Sequence, residues 1–362
     1  MKYYIQPDDK TPAYLQLYKQ LRRDIVDGVY GFNTKLPSKR TLASELGVST
    51  VTVEHSVSLL CDEGYVESRE RSGYFVIFTR DAGFAASSDK EQKKVFEPHN
   101  DGMGMEFPFS VLSKTMRSVL SSYGEGILER SQNMGRIELR SAVSRYLARS
   151  RGINADTERI VVGSGSEYLY NLIVGILGRK RIYGIESPSY KKIEQIYSAS
   201  GVTYRWLPLG HDGIESGSLW GCDCDVLHIS PYRSFPSGVT ASASKRHEYL
   251  RWASGREKFI IEDDFESEFS LSKKPEETLF SITEDDNVIY MNSFSMSISP
   301  ALRVGYMILP QKLARVYKEK MGFYSCTVPT FEQLVIAELI SNGDFERHIN
   351  RVRRKKRRES EI

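Results

Sequence analysis

Short polar and cationic side chains gather at three places near the start of the chain, and each suits a different part of a nucleic acid. Ser49, Thr50, Thr52 and His55 follow the turn Leu46-Gly47-Val48-Ser49 and carry hydroxyl and imidazole groups that can hydrogen-bond to base edges. Ser38, Lys39 and Arg40 open the preceding helical segment, where free backbone amides and two cations suit phosphate oxygens. Arg69, Arg71, Ser72 and Gly73 lie between two β-rich runs, a basic tip fit for the sugar-phosphate backbone or the minor groove. This is the chemistry of double-stranded DNA recognition. A metal centre is not expected. Cys222 and Cys224 form a C-x-C with His228 nearby, but the second ligand pair of a structural zinc site is missing, so these read as reduced cysteines leading into a buried strand.

The elements needed to position the three clusters are legible in the same stretch. Residues 12–28 place Leu15, Leu17, Tyr18, Leu21 and Ile25 at mostly helical spacing before Gly28. Ser38 caps a short helix closed by Gly47, and Ser49 caps a third helix closed by Gly64. The run YVESRERSGYFVIF then reads as a hairpin turning at Arg71-Ser72-Gly73. Three helices and a hairpin predict an N-terminal winged helix-turn-helix over residues 1–79.

Residues 80–106 lose periodicity and read as a linker. From 107 to 345, helix patterns (110–122, 136–150, 166–178, 189–201, 243–254) alternate with strand patterns (RIVVG, RIYGIE, VTYRWLPL, DVLHIS, KFIIEDD, NVIYMN, VGYMILP). Such alternation predicts an α/β domain with a mostly parallel sheet. Residues 346–362 are dense in Lys and Arg, and read either as a contact for DNA phosphate or, preferred, as a basic helix/tail that is frayed and solvated. A net charge of +3 is too mild to argue nucleic-acid binding without the local clusters. No signal-peptide core or membrane-length apolar run is present, so a cytoplasmic location with no membrane partner is expected.

The first region resembles the winged-helix domain of the GntR superfamily through PAYLQLYKQLRRDIVDGVY, LPSKRTLASELGVS and LLCDEGYVESRERSGYFV. Many relatives carry arginine after the serine that opens the recognition helix. Thr50 stands there instead, so the operator sequence does not transfer. The second region is similar to the fold-type I aminotransferase domain of MocR-type regulators, through GRIELRSAVSRYLARSRGI, VVGSGSEYLYNLI, ESPSY, ISPYRSFPSGV, IIEDDFESEF, NSFSMSISPALRVGY and GFYSCTVPTFEQ. That resemblance implies a pyridoxal phosphate (PLP) pocket. Asp263 would pair the pyridine nitrogen and Tyr190 stack on the ring, while Ser166, Glu167, Ser293, Ser295 and Arg303 would complete the cofactor site around its phosphate.

Four departures set this chain apart from the pattern. Met296 replaces the Schiff-base lysine, and a thioether has no nitrogen to attack an aldehyde or carry a proton. Phe265 replaces a tyrosine whose hydroxyl would bond the cofactor's phenolic oxygen. Tyr232-Arg233-Ser234 stands for the usual Ser-His-Gln, on the same side of the pocket. Relatives also continue past the basic helix into a small C-terminal domain, before which this sequence stops.

The resemblance therefore implies a sequence-specific transcription regulator without catalytic residues. Its partners would be double-stranded operator DNA, a second copy of the chain in a homodimer, and a small-molecule effector. Covalent PLP is excluded at Met296, and weak non-covalent binding stays open. The alternative on the same motifs is a PLP-dependent aminotransferase with an accessory DNA-binding domain.

Overall fold

The computed structural model describes residues 3–6, 9, 11–70, 72–79, 107–255, 257–270 and 276–360. The linker 80–106 and Arg71 lie outside them. The chain forms two compact units, 1–97 and 98–362.

In the first unit, α1 (Ala13–Val26), α2 (Lys39–Leu46) and α3 (Thr50–Asp62) precede a hairpin of β1 (Val66–Arg69) and β2 (Gly73–Val76). Ser38 and Ser49 start their helices as anticipated. Each serine oxygen accepts from the backbone amide three residues on, at 3.1 Å, satisfying a donor that the helix itself leaves free. Between them Gly47 takes φ +66°, the left-handed turn that ends α2 and lets α3 set off in a new direction. Leu17, Leu21 and Ile25 of α1 pack with Leu42, Val53, Val57, Leu60, Val66 and Val76 into one core. The hairpin pairs Arg69 with Gly73, whose φ of +109° favours glycine at the tip.

The second unit runs α4 (Phe109–Tyr123), α5 (Ile137–Ser150), β3 (Ile160–Gly163), α6 (Ser166–Leu177), β4 (Ile182–Ser187), α7 (Lys191–Ala199), β5 (Thr203–Gly210), β6 (Gly213–Ile214), α8 (Ser216–Gly221), β7 (Val226–Ile229), α9 (Ala243–Ala253), β8 (Phe259–Asp263), α10 (Leu279–Ile282), β9 (Val288–Ser293), β10 (Gly305–Ile308), α11 (Gln311–Met321), α12 (Thr330–Ser341) and α13 (Asp344–Ser360). Its sheet has the order β3-β10-β9-β8-β7-β4-β5-β6. Strands β9, β8, β7, β4 and β5 are parallel to their neighbours in that run, whereas β10 is antiparallel to both β9 and β3. Two reversals cancel, so β3 points the same way as β9. The carboxyl ends of β3, β4, β7, β8 and β9 therefore lie along one edge of the sheet, where loops of α/β folds carry their ligands.

Alternation along the strands splits the core between two faces. Ile289, Met291, Met307 and Leu309 face α6, α7 and α11, while Tyr290, Tyr306 and Ile308 face α5, α12 and α13.

The basic run is helical as expected, but it is not frayed and solvated: it is most of α13, and Phe345, Ile349 and Val352 are buried in the core beside α12. The expectation is corrected by spacing. Three apolar residues at helical intervals give the run an inward stripe, so most of its cations lie on the other faces.

Candidate functional site

The winged-helix unit presents the predicted DNA-facing residues at the start of α2, the start of α3 and the hairpin tip, with Ser38, Arg40, Ser49, Thr50, His55, Arg69 and Ser72 exposed. Several are already engaged within the protein. Lys39 Nζ donates to Glu54 of α3 at 2.5 Å and lies over the Tyr74 ring, tying α2 to α3 and the wing. Arg69 donates to Glu67 and covers Phe75. The His55 ring stacks on Tyr14 of α1 with centroids 4.0 Å apart. Val51, absent from the predicted set, is 70% exposed on the same turn as Thr50 and Thr52, an apolar group suited to a thymine methyl.

In the second unit a cavity of about 470 Å³ opens on the sheet edge where the parallel strands end. Its wall brings together Ser166, Glu167, Tyr190, Asp263, Ser293, Ser295 and Arg303, with Met296 and Phe265 beside them. The strand ends explain the convergence: β3 leads through Gly165 into α6, β8 ends at Asp263 and β9 ends at Ser293. Gly165 takes φ +88°, and a Cβ there would come within 3.1 Å of the Arg303 guanidinium. Arg303 donates to Glu167 at 3.2 Å, and Lys192 donates to the same carboxylate at 2.5 Å. These two cations, Lys192 first, hold the Glu167 carboxyl below its ordinary range. Tyr190 is 37% exposed and meets the Phe235 ring edge-on. A wider hollow of about 1030 Å³ along the C-terminal half of α6 contains none of the predicted site residues.

Asp263 is buried. One oxygen accepts from Tyr170 and lies 3.6 Å from His228 Nε2, whereas Oδ1 has no partner among the described residues. An unpartnered buried carboxylate oxygen at a cavity wall is costly unless a ligand donates to it. His228, first weighed as a metal candidate, receives or donates a 2.6 Å bond with Tyr197 and buttresses Asp263 from behind.

Of the Tyr232-Arg233-Ser234 segment, Arg233 stands on the cavity side as expected, with Nε 3.5 Å from the wall carboxylate of Glu266, whereas the other two turn away. Tyr232 is buried elsewhere, bonded to the Glu277 carbonyl and to Glu262, and Ser234 donates to Glu186. The bulky aromatic found more burial beside Arg151, whose guanidinium lies 4.8 Å from the ring centre. Tyr170, Ser230, Phe235, Glu266, Phe269 and Lys356 also line the cavity and were missed. For Lys356 a signal existed: it lies four residues beyond Val352, on the inward stripe of α13.

Burial pushes three carboxyls upward: Glu186 to about 8, and Glu262 and Glu268 to about 7, the latter two also repelled by Asp264. Unfolded, such groups lose their protons near pH ~4.3. Over the interval between, the folded chain binds more protons than the unfolded one, so stability falls as pH rises. His348, lowered to about 4 mainly by burial, acts oppositely below its ordinary 6.5. Cys222, lowered to about 6 chiefly by its hydrogen bond with Cys224, also acts oppositely above that pH, so between pH 6.5 and about 8 the Glu186 contribution is read as the difference between the chain and E186Q. From the bottom to the top of that window the thermal midpoint of the second unit should fall further, or rise less, in the chain than in E186Q. Identical midpoint changes in the two would contradict the raised Glu186 carboxyl.

A winged helix-turn-helix on one unit and an aminotransferase fold on the other define a two-module regulator. Residues 13–76 match the family "Bacterial regulatory proteins, gntR family", and residues 106–361 match "Aminotransferase class I and II". The chain belongs to both families in this combined, MocR-type form and is a DNA-binding transcription regulator. It is 33% identical to the uncharacterized HTH-type transcriptional regulator YdeL of Bacillus subtilis (strain 168), across 96% of this chain and 78% of that protein. It is 26% identical to the probable rhizopine catabolism regulatory protein MocR of Rhizobium meliloti (96% and 75%). Identity is also 26% to the pyridoxine biosynthesis regulator PdxR of Corynebacterium glutamicum (97% and 78%). Among solved structures, the kynurenine aminotransferase of Pyrococcus horikoshii superposes with a TM-score of 0.63 at 25% identity, over 68% of this chain and 64% of that one. The match thus spans under two thirds of that enzyme and describes the fold.

Proposed function

We propose that the second unit is a ligand-sensing and pairing domain that governs DNA binding by the winged helix, and that it does not turn over amino acids. The domain limits proposed are 1–79 for the winged helix, 80–106 for the linker, 107–345 for the large domain and 346–362 for the basic helix. Ser49, Thr50, Thr52 and His55 read bases, while Ser38, Lys39, Arg40, Arg69, Arg71, Ser72 and Gly73 contact the backbone or minor groove. Two copies pair through the second unit, a reading supported by its exposed Phe109, Leu128 and Phe323. Pairing would set the spacing of two winged helices on DNA.

The observation that carries the sensing role is the cavity itself: a phosphate-suited pole without a lysine at 296. The residues fit pyridoxal phosphate. Asp263 Oδ1 lacks a partner among the described residues, and Gly165 leaves room for Arg303 beside the first turn of α6. When bound, that group supplies an electron-withdrawing ring. Asp263 would hold its nitrogen, Tyr190 would cover a face, and Ser166, Ser293, Ser295 and Arg303 would take the phosphate. Contacts of about 1–3 kcal/mol each support reversible binding. Met296 can neither bond to the aldehyde nor move a proton, which supports the absence of turnover.

Equilibrium dialysis with pyridoxal phosphate should give saturable binding that R303A weakens, and addition of amino acids should release no keto acid. Keto acid release would instead favour an aminotransferase with an accessory DNA-binding domain.

A further inference from the structure

We propose that Lys356 is the reactive amine of this cavity: its Nζ condenses with the aldehyde of a pyridoxal-phosphate-type ligand, a task that position 296 cannot perform. The inference rests on the reading that the cavity takes this class of ligand, and it names the side chain that engages the ligand's carbonyl.

Placement is the first argument. Phe345, Ile349 and Val352 form the buried stripe of α13, and Lys356 continues that stripe by one further turn. It therefore faces inward, into the wall that also holds Asp263, Ser295, Met296 and Arg303. Its neighbours Arg354, Lys355 and Arg358 are exposed. Lys356 Nζ lies 5.0 Å from the centre of the Phe269 ring, another wall residue. Arg303 and the start of α6 offer the cavity an anion-binding pole, and Lys356 adds an amine on a separate element.

The state of that amine points the same way. Burial lowers the Lys356 pKa, and Arg233 presses the same way against the opposing pull of Glu266 and Glu359. Lys192, beside the cavity residue Glu167, is in the contrary condition: its hydrogen bond to Glu167 raises its pKa and keeps the nitrogen protonated. An imine needs the neutral amine. The nitrogen lone pair of Lys356 attacks the aldehyde carbon to form a C–N bond. The carbonyl oxygen then leaves as water with the two amine protons, and a C=N bond remains. No oxidant or reductant is required.

The test uses the full chain with equimolar pyridoxal phosphate, borohydride reduction and peptide mapping by mass spectrometry, alongside fluorescence quenching to read binding without reduction. The reduced adduct is expected on the peptide carrying Lys356. It should fall to background in K356R, which keeps the cation but not a competent amine, and in R303A, which loses the anchoring pole. Cooperative melts of both variants should establish that they fold. Adduct on Lys192, or spread over exposed lysines and indifferent to R303A, would overturn the role of Lys356. If quenching stays saturable and sensitive to R303A in that case, the cavity reading survives alone. Absence of both adduct and saturable quenching would overturn the cavity reading as well.

Discussion

Replacing Arg151 by methionine will destabilise the second unit by about 3–5 kcal/mol, the range for a buried ion pair that loses one partner. Arg151 donates to Asp264 at 2.7 Å, with both side chains almost wholly buried. Asp264 also accepts from Tyr290 at 2.7 Å, and repulsion from it helps to raise Glu262 and Glu268. Arg151 is the cation that offsets all three carboxylates, since its charge pulls Glu262 and Glu268 back down. Without it Asp264 is left charged inside the core. The double variant R151M/D264N removes the stranded charge and should recover part of the loss. Denaturant unfolding followed by circular dichroism checks both. A loss under about 1 kcal/mol, the scale of an exposed pair, would contradict the assigned role.

The substitution M296K should convert reversible PLP binding into attachment at position 296. Position 296 lies in the cavity wall with Asp263 and Arg303, so a lysine there joins a pole and a ring partner already in place. Borohydride reduction and peptide mapping should find the adduct on the peptide containing Lys introduced at 296, displacing adduct from Lys356. Full catalytic competence is not expected, because Phe265 still lacks the hydroxyl that the family tyrosine supplies. An M296K chain that binds PLP yet carries no adduct at 296 would mean that this side chain does not face the ligand's carbonyl.

Much of this arrangement was legible before the structure, for reasons that differ by element. The strands ending at Asp263 and Ser293 are short apolar runs bounded by polar residues, and the caps Ser38 and Ser49 follow from local hydrogen bonding. Helices α11 and α12 have no counterpart among the helix patterns of the sequence. The second is buried on nearly every side, from Thr330 and Gln333 to Ile340, so it has no polar face to mark its period. The two-residue β6 and the short α8 and α10 are too brief to leave a pattern. The cavity wall was read from motifs at strand ends, so residues reaching it from helices escaped notice. Tyr170 comes from within α6, and Lys356 from a run dominated by exposed cations. Tyr232 erred the other way: its motif position implied the pocket, but a phenol next to Arg151 and the Glu277 carbonyl gains more by burial there.

The most direct measurement is fluorescence-anisotropy titration of the purified chain on its own upstream DNA, with and without PLP, at a fixed salt concentration. Saturable binding that survives competitor DNA, and that PLP shifts while R303A abolishes the shift, is the result predicted for a regulator whose second unit senses a ligand. Binding no tighter than to random DNA, or operator binding that PLP leaves unmoved at concentrations that fill the cavity, would contradict it.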